Sequence, residues 1–83
     1  MTESILAYIL MEIDIGMTDH VVDQLRHIEQ ATRIAVTTGT YDIVMLLETT
    51  GLEELYDITV HQIYKIAGIK ETSTAIVEKM ISA

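Results

Sequence analysis

The chain contains no cysteine, proline, asparagine, tryptophan or phenylalanine among its 83 residues. Without cysteine it has no disulfide staples, no thiolate metal sites and no cysteine nucleophile. The joint lack of Asn and Cys suits a thermophilic protein, where thermolabile residues are thinned out. Cations are scarce too: five Lys and Arg stand against 13 Asp and Glu, for a formal net charge of -8. Arg26, Arg33, Lys65, Lys70 and Lys79 are scattered along the chain. They form no cluster able to neutralise several phosphates along a duplex, which argues against direct nucleic-acid binding. Long apolar runs are missing as well. The longest, Ile5 to Met11, falls far short of the roughly 20 residues that span a bilayer, and no basic segment precedes it. The expectation is a soluble, cytoplasmic protein with no membrane partner, forming one domain over residues 1–83.

Apolar residues make up 49% of the sequence, and their spacing sets the elements. Ser4 to Ile13 is apolar, β-branched and too short for a long helix, which predicts a strand. Gly16 breaks it, Thr18 offers an N-cap with Asp19 in the first turn, and Val21, Val22, Leu25 and Ile28 recur at helical spacing, predicting a helix to about Gln30. Ala31 to Thr38 and Tyr41 to Thr50 read as two strands joined at Gly39-Thr40 into a hairpin. Leu52 to Ala67 reads as a second helix with Leu52, Leu55, Tyr56, Thr59, Ile63, Ile66 and Ala67 on one face and Gly68 as its C-terminal cap. Lys70 to Met80 reads as the last strand. The order β-α-β-β-α-β with right-handed crossovers gives an α+β, ferredoxin-like sandwich: a four-stranded antiparallel sheet with both helices on one face. The first and third strands are the most apolar and belong at its centre.

A sheet covered on one side needs apolar residues only at alternate positions. Here both sets are apolar: Ile5, Ala7, Ile9, Met11 and Ile13 against Leu6, Tyr8 and Leu10 in the first strand, and Ile43, Met45 and Leu47 against Val44 and Leu46 in the third. An open face of that composition exceeds what monomers usually expose. A chain of this size also buries only about 60 to 65% of its unfolded surface. Face-to-face dimerisation is the expected remedy.

The most distinctive polar segment is the hairpin tip, Thr37-Thr38-Gly39-Thr40-Tyr41-Asp42. Gly39 permits positive φ and close approach to the backbone, Thr40 and Tyr41 carry hydroxyls, and Asp42 is an acceptor; a plain turn accounts for the same residues. The stretch from Thr37 to Val77 resembles the effector-binding (RAM) domain of the Lrp/AsnC transcription regulators. The likeness rests on the Gly39-Thr40-Tyr41-Asp42 turn, the apolar strand Ile43 to Leu47, the turn Ala67-Gly68-Ile69 and the spaced hydroxyls of Thr72-Ser73-Thr74. Ala67 stands where that family often has proline, and Gly68 still supplies the cap.

The resemblance implies a module that binds a free amino acid between dimers packed sheet on sheet, in a higher, octamer-like oligomer, with no cofactor. The matching ligand positions are Gly39, Thr40, Tyr41, Asp42, Thr72 and Thr74. Selection of the side chain falls to Val36, Leu52, Ala75 and Ile76, whose apolar character favours an aliphatic effector such as isoleucine or leucine. The helix-turn-helix region of full-length members has no counterpart in the sequence. The expectation is therefore a stand-alone module that modulates regulators of amino-acid metabolism, with a full-length Lrp/AsnC regulator as a further partner.

Other groupings carry less chemistry. His20, Asp23 and His27 share a helix face but read as solvated rather than metal-binding. Asp57, His61 and Lys65 read as surface pairs. Glu12 and Glu48 lie late in the two central strands and would be neighbours if those strands were parallel, but they lack the nucleophile, base or cleft that catalysis requires. Tyr8, Tyr56 and Tyr64 suit half-buried packing. Two rival readings remain. The ACT amino-acid domain shares the element order and would place its ligand nearer Asp14 to Asp19. A small dimeric ferredoxin-like monooxygenase or isomerase would need a His-, Asn-, Trp- or Arg-lined cavity between sheet and helices.

Overall fold

Ile5–Ile13 forms strand β1 in a computed structural model that describes residues 4–83. Helix α1 (Thr18–Leu25), strands β2 (Ala31–Val36) and β3 (Ile43–Thr49), helix α2 (Leu52–His61), a 3-10 turn at Ile63–Lys65 and strand β4 (Ile69–Ile76) follow. The strands make one antiparallel sheet in the order β2-β3-β1-β4, so the two most apolar strands are central and the Thr-rich ones form the edges. This is the expected ferredoxin-like α+β fold.

Register explains why both strand faces are apolar. Met11 lies opposite Ile43, Ile9 opposite Met45 and Ala7 opposite Leu47, and all six are fully buried beneath the helices. α1 adds Val21 and Leu25, α2 adds Leu55 and Ile58, and the 3-10 turn adds Ile63. Each large aliphatic side chain so buried contributes about 1.5–3 kcal/mol. The alternate set, Leu6, Tyr8 and Leu10 opposite Glu48, Leu46 and Val44, occupies the other face. No helix among the described residues covers that face. The molecule is only 17 Å thick along its shortest axis, the depth of one sheet and one helix layer.

The helices are shorter than their apolar periodicity predicts. α1 stops at Leu25, where the Ile28 N–H bonds to the Leu25 carbonyl in a tighter turn (3.0 Å); Ile28 stays buried, which is why the pattern runs on past the helix. Thr18 opens α1 but does not cap it: Met17 holds the cap position, with no side-chain cap bond. α2 ends at His61, and the 3-10 turn carries the apolar spacing onward. Its buried stripe centres on Leu55 and Ile58, leaving Leu52 and Tyr56 60% and 63% exposed. Gly68 therefore caps no helix.

Gly68 instead sits at φ +102° in the turn before β4. A Cβ there would lie 2.8 Å from Met17 Cβ and 3.1 Å from Val21 Cγ2. Its carbonyl accepts the Asp14 N–H at 2.8 Å. The link from β1 to α1 and the link from α2 to β4 thus meet at one residue where a side chain has no room.

Candidate functional site

The hairpin tip is longer than the two-residue turn expected, because β2 ends at Val36 and β3 begins at Ile43. Three bonds close it. The Thr37 N–H donates to the Asp42 carbonyl (2.8 Å), the Thr37 hydroxyl donates to the Tyr41 carbonyl (2.8 Å), and the Asp42 N–H reaches the Met11 carbonyl of β1 (2.8 Å). Gly39, at φ +112° with open space around it, lets the chain reverse.

Asp42 has a structural duty the sequence did not disclose. Its Oδ2 accepts the Ile13 N–H at 2.8 Å, extending the β1–β3 ladder beyond its last paired residues, Met11 and Ile43. Asp42→Ala removes that acceptor and is expected to cost about 1–3 kcal/mol. Asp42→Asn keeps a carbonyl oxygen and loses less. Urea unfolding of the two variants against the parent checks this.

The other expected ligand positions are spread over the sheet. Val36, Ile43, Met11 and Thr72 form one row across it, so Val36 and Thr72 lie on opposite edges, about 14 Å apart at the usual strand spacing. Thr74 lies opposite Ile9 and Ala75 opposite Tyr8, on alternate faces of β4. Ile76 lies opposite Ala7, at the far end of β4 from the level of the tip. Leu52 opens α2 just beyond the end of β3. Within one chain the ten residues form separate groups: tip and Thr72 at one end, Leu52 and Ile76 toward the other.

Beside the tip, Glu12 of β1 lies directly opposite Glu71 of β4, and Lys70 is the extra residue of a bulge between that pair and the Ile13–Ile69 pair. The hydrogen bond to Glu71 holds the Glu12 carboxyl above its usual value; burial and the charges of Glu71 and Asp42 add to this, and Lys70 opposes it. Because the folded chain holds that proton more tightly than the unfolded one, this group's contribution to stability is fully present below the ordinary value of 4.5 and is lost as pH rises through the raised value. Glu71→Gln is expected to flatten that fall and raise the melting temperature at neutral pH, read from melting curves between about pH 4 and 8.

Glu12 and Glu48 are not neighbours: β1 and β3 are antiparallel, and Glu48 lies opposite Leu6. His20, Asp23 and His27 are all exposed, and His27 falls beyond the end of α1. Among the described residues no three His, Cys, Asp or Glu side chains gather as metal ligands. Lys65 falls in the 3-10 turn and so does not continue the α2 spacing from His61. Tyr56 and Tyr64 are exposed rather than half-buried, and Tyr8, 36% exposed, stands on the open sheet face. No helix among the described residues is long and apolar enough to cross a membrane.

Sequence reasoning missed a cleft of about 360 Å³ between α1 and edge strand β2. Val22, Arg26, Ala31, Thr32, Arg33, Ile34 and Val36 line it. The only sequence signal was the helical spacing of Val22 and Arg26.

Comparison with known proteins fits this geometry to a family. The family described as the Lrp/AsnC ligand binding domain matches residues 6–82. The HTH-type transcriptional regulator FL11 of Pyrococcus abyssi is 36% identical over 76 residues, covering 92% of this chain and 50% of that protein. The crystal structure of FFRP-DM1 is 30% identical with a TM-score of 0.84, covering 88% of this chain and 97% of that one. A Neisseria meningitidis transcriptional regulator, solved as a complex with L-Met, has a TM-score of 0.88 at 15% identity, covering 95% of this chain and 53% of that one. At that identity the last shows likeness of fold. The chain spans about half the length of the curated relatives it matches. With the family match running from Leu6 to Ser82 over the whole β-α-β-β-α-β frame, the chain belongs to the Lrp/AsnC ligand-binding domain family.

Proposed function

We propose that this domain is a non-enzymatic sensor: it pairs through its open sheet face, assembles into a higher oligomer, and binds a free amino acid at contacts between dimers. The observation that carries the reading is the combination of the family match with an uncovered apolar face on the two central strands. The spread of the expected ligand positions supports a site completed by a second copy. The turn Gly39–Asp42 and the hydroxyls of Thr72 and Thr74 supply donors for a carboxylate; the second carboxylate oxygen of Asp42 and nearby carbonyls receive the ammonium. Val36, Leu52, Ala75 and Ile76 meet an aliphatic side chain such as that of leucine or isoleucine. That the Neisseria regulator was solved with L-Met supports a small amino acid as the ligand class. Binding at a shared contact favours the assembled state over the free dimers. By the same coupling, an occupied module alters its association with a full-length Lrp/AsnC regulator.

The test is a thermal-shift screen against the twenty amino acids at millimolar concentration, with oligomer mass recorded alongside. At about 100 times its dissociation constant the effector adds roughly 2.7 kcal/mol, several degrees for a domain of this size. Thr72→Val and Thr74→Val should abolish a selective shift while leaving the unliganded melting temperature nearly unchanged, since both are edge-strand residues. A shift sensitive to Gly16→Ala but not to the threonine variants points to an ACT-like site. No shift from any amino acid, with a monomeric mass, sinks the sensor reading.

A further inference from the structure

The open sheet face carries its charges at opposite corners. Ala31 lies opposite Leu47 and Arg33 opposite Leu46, so Thr32 is the extra residue of a bulge. Arg33 borders the α1–β2 cleft from the edge of the sheet, but its register is that of the open face: Arg33, Leu46, Tyr8 and Ala75 form one row across it. The next row toward the tip is Ala35, Val44, Leu10 and Ser73. In the row beyond, Glu12 and Glu71 lie opposite each other on β1 and β4. A cation at the β2 edge and a carboxyl pair toward the β4 edge thus flank an apolar middle. At the usual strand spacing and rise their Cα atoms are roughly 17–20 Å apart, beyond contact within one chain. The acidic residue nearest Arg33 by register is Glu48, its diagonal neighbour on β3. Like charges directly opposite on a sheet destabilise it. Around the Glu12–Glu71 pair, Asp42 of the tip adds to the repulsion and Lys70 of β4 eases it.

We infer that Arg33 of one copy seats against the Glu12–Glu71 pair of a second copy, twice by symmetry, and that this pairing sets the orientation in which the two sheets meet. The inference rests on the sheet-to-sheet dimer proposed above and adds what orients it. A two-fold contact brings one patch to its complement twice over. An axis running diagonally across the face, between Tyr8 and Leu10, carries Arg33 onto the partner's carboxyl pair and keeps Leu46, Val44, Tyr8 and Leu10 inside the contact. The strands of the two sheets then cross steeply, in the orthogonal class of sheet packing and not the aligned one. A guanidinium presents its donors in a planar fork and spans two carboxylates where an ammonium is a point charge. The partner's cation offsets the repulsion between Glu12 and Glu71, which the single chain leaves standing.

The experiment is sedimentation of the Arg33→Glu chain, of the chain carrying Glu12→Gln with Glu71→Lys, and of their equimolar mixture. Each variant alone brings like charges together at both symmetric contacts, and its dimer dissociation constant should rise at least about 100-fold. In the mixture every contact again joins opposite charges. A mixed dimer of near-parental affinity should therefore form, identified as a 1:1 species by native mass spectrometry. The double variant is less acidic than the parent, so general charge repulsion cannot account for its dissociation. Arg33→Gln, at an exposed position, is a milder change and should weaken association about tenfold; circular dichroism checks that each variant stays folded. Parent-like sedimentation of either charge variant, or a mixture that stays monomeric, would overturn the pairing. So would an effect confined to Arg33→Glu and Glu48→Gln, which assigns Arg33 to its diagonal neighbour in the same chain. Leu46→Lys, in the middle of the same face, reports on the wider reading: if it alone dissociates the dimer, the face is used and the pairing is wrong. A parent that is monomeric at every concentration overturns both.

Discussion

Replacing Gly68 with alanine is expected to destabilise the domain by about 2–5 kcal/mol, the largest single-residue effect outside the aliphatic core. Two costs add. A side chain at φ +102° carries roughly 1–2 kcal/mol of backbone strain. The new Cβ meets Met17 Cβ at 2.8 Å and Val21 Cγ2 at 3.1 Å, so α1 must shift, at about 1–3 kcal/mol for an overpacked site. At about 4–8 °C per kcal/mol for a domain of this size, the melting temperature falls by about eight degrees or more at matched protomer concentration. Gly39→Ala is the internal control. Its φ is also positive, at +112°, but nothing lies within 4 Å of the added carbon, so only the backbone cost remains. Equal losses at the two positions would show that crowding against α1 contributes nothing.

The second large effect is on assembly. Leu46 lies opposite Tyr8 in the middle of the open sheet face, and Leu46→Lys places an ammonium at the centre of the proposed dimer contact. An unpaired charge buried there costs several kcal/mol. The dimer dissociation constant should therefore rise at least about 100-fold, turning the sedimentation profile at micromolar concentration toward monomer. Glu53→Gln, on the exposed side of α2, changes net charge equally and should leave the profile alone. If Leu46→Lys sediments like the parent, association does not use this face. Because the substituted side chain is already partly exposed in the isolated chain, the fold of the protomer should survive, and circular dichroism separates dissociation from unfolding.

What the sequence disclosed and what it hid divide along physical lines. Apolar, β-branched runs too short for a long helix placed β1 and β3 to within two residues, and apolar residues in both alternate sets pointed to the open face. Helix ends were less legible. Ile28, Ile63 and Ile66 continue the apolar spacing after the backbone has left the α-helical path, and periodicity registers burial rather than hydrogen bonding. The phase of α2 was misjudged for a related reason: Leu52 and Tyr56 sit at the margin of a stripe centred on Leu55 and Ile58. The polar tip was visible as a segment, yet the bond from Asp42 to the Ile13 N–H joins residues 29 apart, and local spacing carries no record of it. The cleft bordered by Arg26 and Arg33 was hidden too, since it depends on how the edge strand β2, with its bulge at Thr32, lies against α1. In sequence the two arginines are merely scattered cations.

Those bulges have a consequence for how copies of the chain meet. Each edge of the sheet is interrupted by one polar extra residue, Thr32 on β2 and Lys70 on β4. An incoming strand needs an unbroken run of outward N–H and C=O groups to dock laterally, and a bulge breaks both its register and its flatness. Side-by-side stacking, the geometry that propagates without limit, is thus discouraged at both borders. Contact across the flat of the sheet consumes its own surface once and then stops. In the assembly proposed above, an 83-residue chain with two sheet edges is in this way steered from open-ended fibres toward closed, countable assemblies.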